Sequence, residues 1–301
     1  MNTLILKLGA TGDVVRTTPL LHRLPGEVTW ITAAKNRSLV EGISPHVTCY
    51  SWEERAAAAA TAYDLVISLE DEMECGTYLQ GIASGRHFGA YLDPAEGRMR
   101  YTADAARWFD LSLISDHGRQ EADHRKSLNR RTYQELIFEG LGWNFAGESY
   151  LLPPAVPTGL TGDVAISPVA GPVWPMKAWD HYGALQEALE ARGYRVNILP
   201  VRATLLEHLA DVQGHRCLVS GDSLPMHLAL GSGVPCVSLF NCTSPWEIHG
   251  YGRQTQLVSP LLEEFFYKRG ANPRATAAIR LEDVLQATLG WLDCQGPGDG
   301  P

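Results

Sequence analysis

Asp13, Lys177 and Asp222 are the residues whose neighbours best equip them for chemistry. Asp13 follows a short apolar run, Leu4-Ile-Leu-Lys-Leu8, through the two-glycine turn Gly9-Ala-Thr-Gly12. Such a turn takes glycine where backbone must sit close to another group or adopt positive φ. The helix that follows offers free N–H groups that favour an anion. This pattern sets Asp13, with Arg16 and Thr17 one turn further on, at the carboxyl edge of a sheet, where open α/β proteins bind ligands. The alternative is a tight βα turn in which Asp13 only caps the helix, worth about 1 kcal/mol.

Lys177 lies in Ser167-Pro-Val-Ala-Gly171-Pro-Val-Trp174-Pro-Met-Lys177-Ala-Trp179, a loop that leaves a strand and opens a helix. There it is either a compact positive charge for a phosphate or a surface lysine between two packing tryptophans. Asp222 lies in Val219-Ser-Gly221-Asp222-Ser223-Leu224-Pro225-Met226-His227. Pro225 fits the first turn of a helix, with Asp222 or Ser223 as its cap. The N–H groups at that end suit a diphosphate, and His227 is either part of that site or a satisfied core histidine.

The elements that must hold these residues are βα units. Strand patterns at residues 4–8, 28–32, 47–50 and 65–69 recur after a proline-rich stretch, Leu152-Pro-Pro-Ala-Val-Pro157, at 164–167, 196–200, 217–220 and 235–239. Helical patterns fall at 55–62 behind a Ser51/Glu54 capping box, and at 132–140, 179–192, 204–211, 223–231 and 281–292. Alternation of this kind predicts two Rossmann-like domains with parallel sheets facing across a cleft. Their expected bounds are 1–155 and 156–301, and the last helix is expected to pack back on the first domain. Residues 93–131 read as an irregular polar excursion rich in arginine, including Arg98 and Arg100, and residues 296–301 as a disordered end.

A net charge of −9 argues against a nucleic-acid footprint and leaves at most peripheral membrane contact. The six cysteines form no CxxC pair and no metal-ligand spacing, so no metal is expected and the thiols read as reduced core residues. The first apolar run is too short for a signal-peptide core, which predicts a cytoplasmic protein.

Taken together, the motifs resemble glycosyltransferase family 9, the heptosyltransferase family, over nearly the whole chain. Residues 4–21 follow its opening pattern, Trp174-Pro-Met-Lys177-Ala-Trp179 its WPxKxW motif, and Ser220-Gly-Asp222-Ser-Leu-Pro-Met-His227-Leu-Ala its late motif. Asn129-Arg-Arg-Thr-Tyr-Gln-Glu-Leu-Ile-Phe-Glu139 is similar to a segment of one branch of the family.

The resemblance implies a GT-B fold and metal-independent, inverting transfer of heptose from an ADP-activated donor, with no further cofactor. It implies that Asp13 is the base and that Lys177 steadies the leaving diphosphate. Gly9, Gly12, Ser167, Asp222, Ser223, Leu224, Met226 and His227 are expected on the donor, and Arg16, Thr17, Arg98 and Arg100 on the acceptor. The acceptor remains open between a core sugar of lipopolysaccharide, a protein and a small molecule or secondary metabolite. Two departures stand out. The loop before Lys177 reads Ser167-Pro-Val-Ala-Gly, and the turn after the next strand reads Pro200-Val-Arg202-Ala-Thr204, where the family carries an acidic ribose contact. A catalytically silent or epimerase-like sugar-nucleotide binder is the alternative reading.

Overall fold

The computed structural model describes residues 1–294; the tail expected to be disordered lies outside the described residues. The chain divides into two compact units, Met1–Pro154 and Ala155–Pro301, at the proline-rich stretch.

The first unit is built on a six-stranded sheet ordered β3-β2-β1-β4-β5-β6. Its strands are β1 (Thr3–Leu6), β2 (Val28–Thr32), β3 (Val47–Ser51), β4 (Tyr63–Ser68), β5 (Ser84–Asp93) and β6 (Arg98–Tyr101). All neighbours are parallel except β5 and β6. The pleat explains the continuous apolar runs of β1 and β4. Ile5, Trp30, Leu65 and Ile67 join the core on one face, while Leu4, Leu6, Ile31 and Val66 join that on the other. A parallel strand covered on both faces needs apolar residues at every position.

Helices α1 (Thr11–Thr17), α2 (Met73–Leu79), α3 (Ala106–Phe109), α4 (Arg119–Leu128) and α5 (Tyr133–Gly140) complete the unit. Thr132 accepts from the Glu135 N–H to cap α5, and the Glu135 carboxylate accepts from the Thr132 N–H in return.

Two expectations for this unit need correction. The stretch from Asp93 to Arg131 is not an irregular excursion: it contains β6, α3 and α4, and β6 pairs antiparallel with the end of β5. The signal in β5 is weak because only its middle is buried and Gly89 interrupts it. That glycine has φ +104, and a Cβ there would collide with the Ser68 carbonyl of β4. The alanine-rich stretch forms a 3-10 helix, Trp52–Ala58, rather than an α-helix over 55–62, with Ser51 N–H donating to Glu54 as the capping box requires.

The second unit carries a five-stranded parallel sheet ordered β11-β10-β9-β7-β8. Its strands are β7 (Gly162–Ser167), β8 (Val196–Ile198), β9 (His215–Gly221), β10 (Cys236–Phe240) and β11 (Gln254–Val258). The helices are α6 (Tyr182–Glu190), α7 (Leu205–Gln213), α8 (Leu224–Ser232), α9 (Leu262–Phe265), α10 (Pro273–Thr276) and α11 (Leu281–Cys294). Helices α6 and α11 bury Leu185, Leu189, Val284 and Leu292 against Val164, Ile166, Cys217 and Val219. Helix α11 packs on α6 and on β9, β10 and β11 of its own unit. Strand β11 carries three polar residues in five and was not legible in the sequence.

Cys49, Cys75, Cys217, Cys236 and Cys242 are buried, unpaired thiols, and burial pushes the Cys242 thiol up to about 11 and Cys49, Cys75 and Cys236 to about 12. Among the described residues no helix is long and apolar enough to cross a membrane.

Candidate active site

The first cluster of functional groups forms where β1 and β4 end. Past Leu6 the chain turns through Lys7–Ala10 and enters α1, so Asp13 stands in the first turn of that helix. The Gly9–Ala10 peptide is cis. Neither Gly9 nor Gly12 has positive φ, and a Cβ on Gly9 would meet nothing within 4 Å. The conformational reason expected for Gly9 is therefore not the operative one; it faces open space instead. That space is a cavity of about 500 Å³ lined in part by Gly9, Asp13, Lys35, Glu70, Glu72 and Trp108.

Asp13 is one-third exposed there, and its carboxylate meets Arg16 Nε at 3.0 Å. Arg16 is buried. Its guanidinium lies 4.3 Å from the Tyr133 ring centre and 5.5 Å from that of Trp108. The Tyr133 hydroxyl sits 2.8 Å from Thr17 Oγ1, which donates to the Asp13 carbonyl at 2.7 Å. Gln134 donates to the Arg16 carbonyl at 2.8 Å. The segment at 129–139 thus fixes α1 through the start of α5.

The residues expected on the acceptor side all have partners within the protein. Thr17 is buried and its hydroxyl is committed to α1 and α5. Arg16 is spent on Asp13 and two aromatic rings. Arg98 and Arg100 both bridge to Glu96 and Asp116, and Arg100 lines a different cavity, of about 900 Å³, between α2 and the β5–β6 hairpin. Each of the three arginines is paired with a carboxylate.

Sequence reasoning missed the groups that hold the turn itself. Lys7 and Glu70 form a buried ion pair at 2.7 Å. Burial works against the Lys7 ammonium, but the carboxylates of Glu70 and Asp13 prevail and raise its pKa above the ordinary lysine value. Asn36 clamps the other side of the turn, donating to the Leu8 carbonyl at 2.6 Å and accepting from Thr11 Oγ1 at 2.7 Å. The available signal was a lysine inside an apolar strand and a glutamate at the end of another.

The second cluster forms where β7 and β9 end side by side, with Ser167 in register with Ser220. The loop after β7 closes in a 3-10 helix, Pro175–Lys177, and the Lys177 carbonyl passes so close to β9 that a Cβ on Gly221 would lie 2.5 Å from it. Glycine is required at 221 by this approach. Lys177 Nζ donates to the Asp222 carbonyl at 2.7 Å and to its carboxylate at 2.9 Å. Burial would raise the Asp222 pKa, but Lys177, His227 and a Thr243 hydrogen bond outweigh it and hold the carboxyl at about 2. The lysine is therefore not a surface residue between tryptophans. Trp179 is buried and donates to the Ile279 carbonyl at 2.8 Å, and Trp174 packs edge-on to Tyr267.

Ser223 begins α8 but does not cap it with its side chain, which turns back to the Gly221 carbonyl at 3.4 Å. Leu224 and Pro225 form the first turn, and Met226 and His227 are buried behind them. Ser167 is buried at the end of β7. Asp222, Ser223, Leu224, Met226 and His227 are thus brought to one strand end with Lys177. At β8, Val201 is 91% exposed, while Arg202 is locked on Asp211 by bonds of 2.6 and 2.9 Å. Among the described residues no cluster of His, Cys, Asp or Glu could hold a metal ion.

Two α/β units with mainly parallel sheets, each ending its strands in a cluster of charged groups, are the elements of a GT-B fold. The match is specific: the pattern of glycosyltransferase family 9 (heptosyltransferase) covers residues 195–266, which include the Ser220–His227 motif. Solved structures agree in fold. Escherichia coli heptosyltransferase WaaC with ADP has a TM-score of 0.65 at 16% identity, covering 97% of this chain and 100% of that one. A family 9 glycosyltransferase from Veillonella parvula gives 0.67 at 16% identity, with 97% of both chains covered. E. coli ADP-heptose lipopolysaccharide heptosyltransferase II gives 0.63 at 16%, covering 98% and 99%. Direct sequence comparison with curated proteins gives no match. The resemblance read from the motifs is borne out: the chain carries the family 9 pattern over residues 195–266 and is similar in fold to heptosyltransferases.

Proposed function

We propose that the protein is an inverting glycosyltransferase that moves a heptose from ADP-heptose to a hydroxyl or amine of a small-molecule acceptor. The observation that carries this reading is that the family's motifs end on complementary charged groups at strand termini. Asp13 stands after β1, and Lys177 with Asp222 stands after β7 and β9.

An inverting displacement needs a base for the acceptor and charge stabilisation for the leaving group. The Asp13 carboxylate takes the acceptor proton as the acceptor atom bonds to the anomeric carbon. The anomeric C–O bond breaks, and its electron pair leaves with ADP. An ammonium has three N–H donors; Lys177 directs two at Asp222, and the third serves a phosphate oxygen. The first turn of α8, which Ser223 leaves uncapped by its side chain, serves the diphosphate. Asp222, held ionised, accepts from sugar hydroxyls.

The cavity beside Asp13 sets Asp71 and Glu72 against Lys35. That balance suits a neutral or amine-bearing acceptor better than a phosphorylated core sugar. Five buried unpaired thiols support a reducing compartment such as the cytoplasm.

Calorimetric titration with ADP, UDP, GDP and dTDP, paired with turnover of Asp13→Asn, tests the reading. Expected are a preference for ADP and a 10²- to 10⁴-fold loss of turnover with ADP affinity unchanged. Failure to bind any of the four, or full activity of Asp13→Asn, would overturn it.

A further inference from the structure

The backbone ladder between β1 and β4 ends where Leu69 N–H donates to the Leu6 carbonyl at 3.0 Å. Beyond that point a side chain takes over. One oxygen of Glu70, Oε1, accepts from Lys7 Nζ at 2.7 Å, from Leu8 N–H at 2.8 Å and from Gly9 N–H at 3.3 Å. Glu70 is buried and lines the same cavity as Asp13, which lies four residues beyond Gly9. A buried ion pair is a poor source of stability, since apolar residues of similar volume often serve as well or better. What an apolar side chain cannot do is accept from the two turn amides.

We infer that Glu70 is a positioning residue: it holds the Leu8–Gly9 turn so that Asp13 stays at the mouth of the cavity. This role rests on the reading of Asp13 as the base. Asn36 holds the carbonyl side of the turn, so Glu70 supplies the amide side.

The single change Glu70→Leu strands a buried lysine and can simply unfold the protein. The informative comparison therefore removes the charge in both arms. Lys7→Met/Glu70→Gln keeps an oxygen for the turn amides, whereas Lys7→Met/Glu70→Leu does not. The probe is ADP-heptose, read as hydrolytic ADP release, together with hydrogen exchange of the Leu8 and Gly9 amides.

Expected are a loss of less than threefold for the Gln variant and of tenfold or more for the Leu variant. ADP affinity should stay within twofold in both, and amide protection should be lost only in the Leu variant. With Asp13→Asn added, the two variants should differ by less than twofold. Equal rates in the two variants, or a difference undiminished by Asp13→Asn, would overturn the positioning role alone. Full activity of Asp13→Asn by itself would overturn the base reading beneath it.

Discussion

Lys177 grips Asp222 twice, once through its main-chain carbonyl at 2.7 Å and once through its carboxylate at 2.9 Å. The motif lysine and the motif aspartate, 45 residues apart in sequence, are thus one unit at the ends of β7 and β9. Replacing Lys177 with Met leaves a buried carboxylate facing no ammonium. The expected cost is about 1–3 kcal/mol, since the lysine side chain is one-fifth exposed. The double variant Lys177→Met/Asp222→Asn should recover most of that stability without recovering ADP affinity. Denaturant midpoints and calorimetry on the three variants separate the two effects; a double variant that binds ADP normally would remove Lys177 from the diphosphate site.

The same pair sets an acid limit. The Asp222 carboxyl sits at about 2 against an ordinary 3.8, so the folded state binds this proton less readily than the unfolded state. Its contribution, roughly 2 kcal/mol, is complete above pH 4 and disappears as pH falls from about 4 to about 2. The stability gap between wild type and Asp222→Asn, followed by melting temperature, should close through that window. A gap that stays constant would show that the carboxylate gains nothing from its partners.

Gly221 meets Lys177 backbone to backbone, so a methyl group there cannot be absorbed by a moving side chain. Gly221→Ala should push the Pro175–Lys177 turn away from β9 and lower ADP affinity by about tenfold, at a stability cost of roughly 1–3 kcal/mol. Gly9→Ala is the contrast, since its added carbon meets no protein atom; it should fold normally and report only on what enters the cavity. Unequal melting temperatures for the two variants are the expected result, and equal ones would refute the close approach at 221.

Much of this was legible because parallel strands buried on both faces cannot hide. The apolar runs of β1, β2, β4, β7, β9 and β10 and the glycine and proline punctuation after them place Asp13, Lys177 and Asp222 at strand ends. What was not legible follows from the same physics. β5 and β11 are only partly buried, so their polar residues mask the strand period. The partnership of Lys7 with Glu70 spans 63 residues and is invisible to any local pattern. The arginines between Asp93 and Arg131 read as part of a polar excursion; Arg119 and Arg125 meet Asp123 and Glu121 at an i,i+4 spacing that a helix reading would have shown, whereas Arg98 and Arg100 reach Asp116 across 18 and 16 residues.

Arg16 offers the sharpest test of how the Asp13 carboxylate is aimed. Its guanidinium is wedged by the rings of Tyr133 and Trp108 while its Nε faces Asp13 at 3.0 Å. Lysine keeps the charge but loses the planar group that stacks on the rings and the fixed N–H that points at the carboxylate. Arg16→Lys should therefore cost about 1–2 kcal/mol of stability and slow turnover on the order of tenfold, with ADP affinity unchanged because the groups proposed for the diphosphate, Lys177 and the first turn of α8, lie in the other unit. Trp108→Leu removes one wall of the wedge and should act in the same direction with a smaller effect on turnover. If Arg16→Lys loses stability but turns over at the wild-type rate, the ion pair serves the fold of α1 and the base needs no partner to orient it.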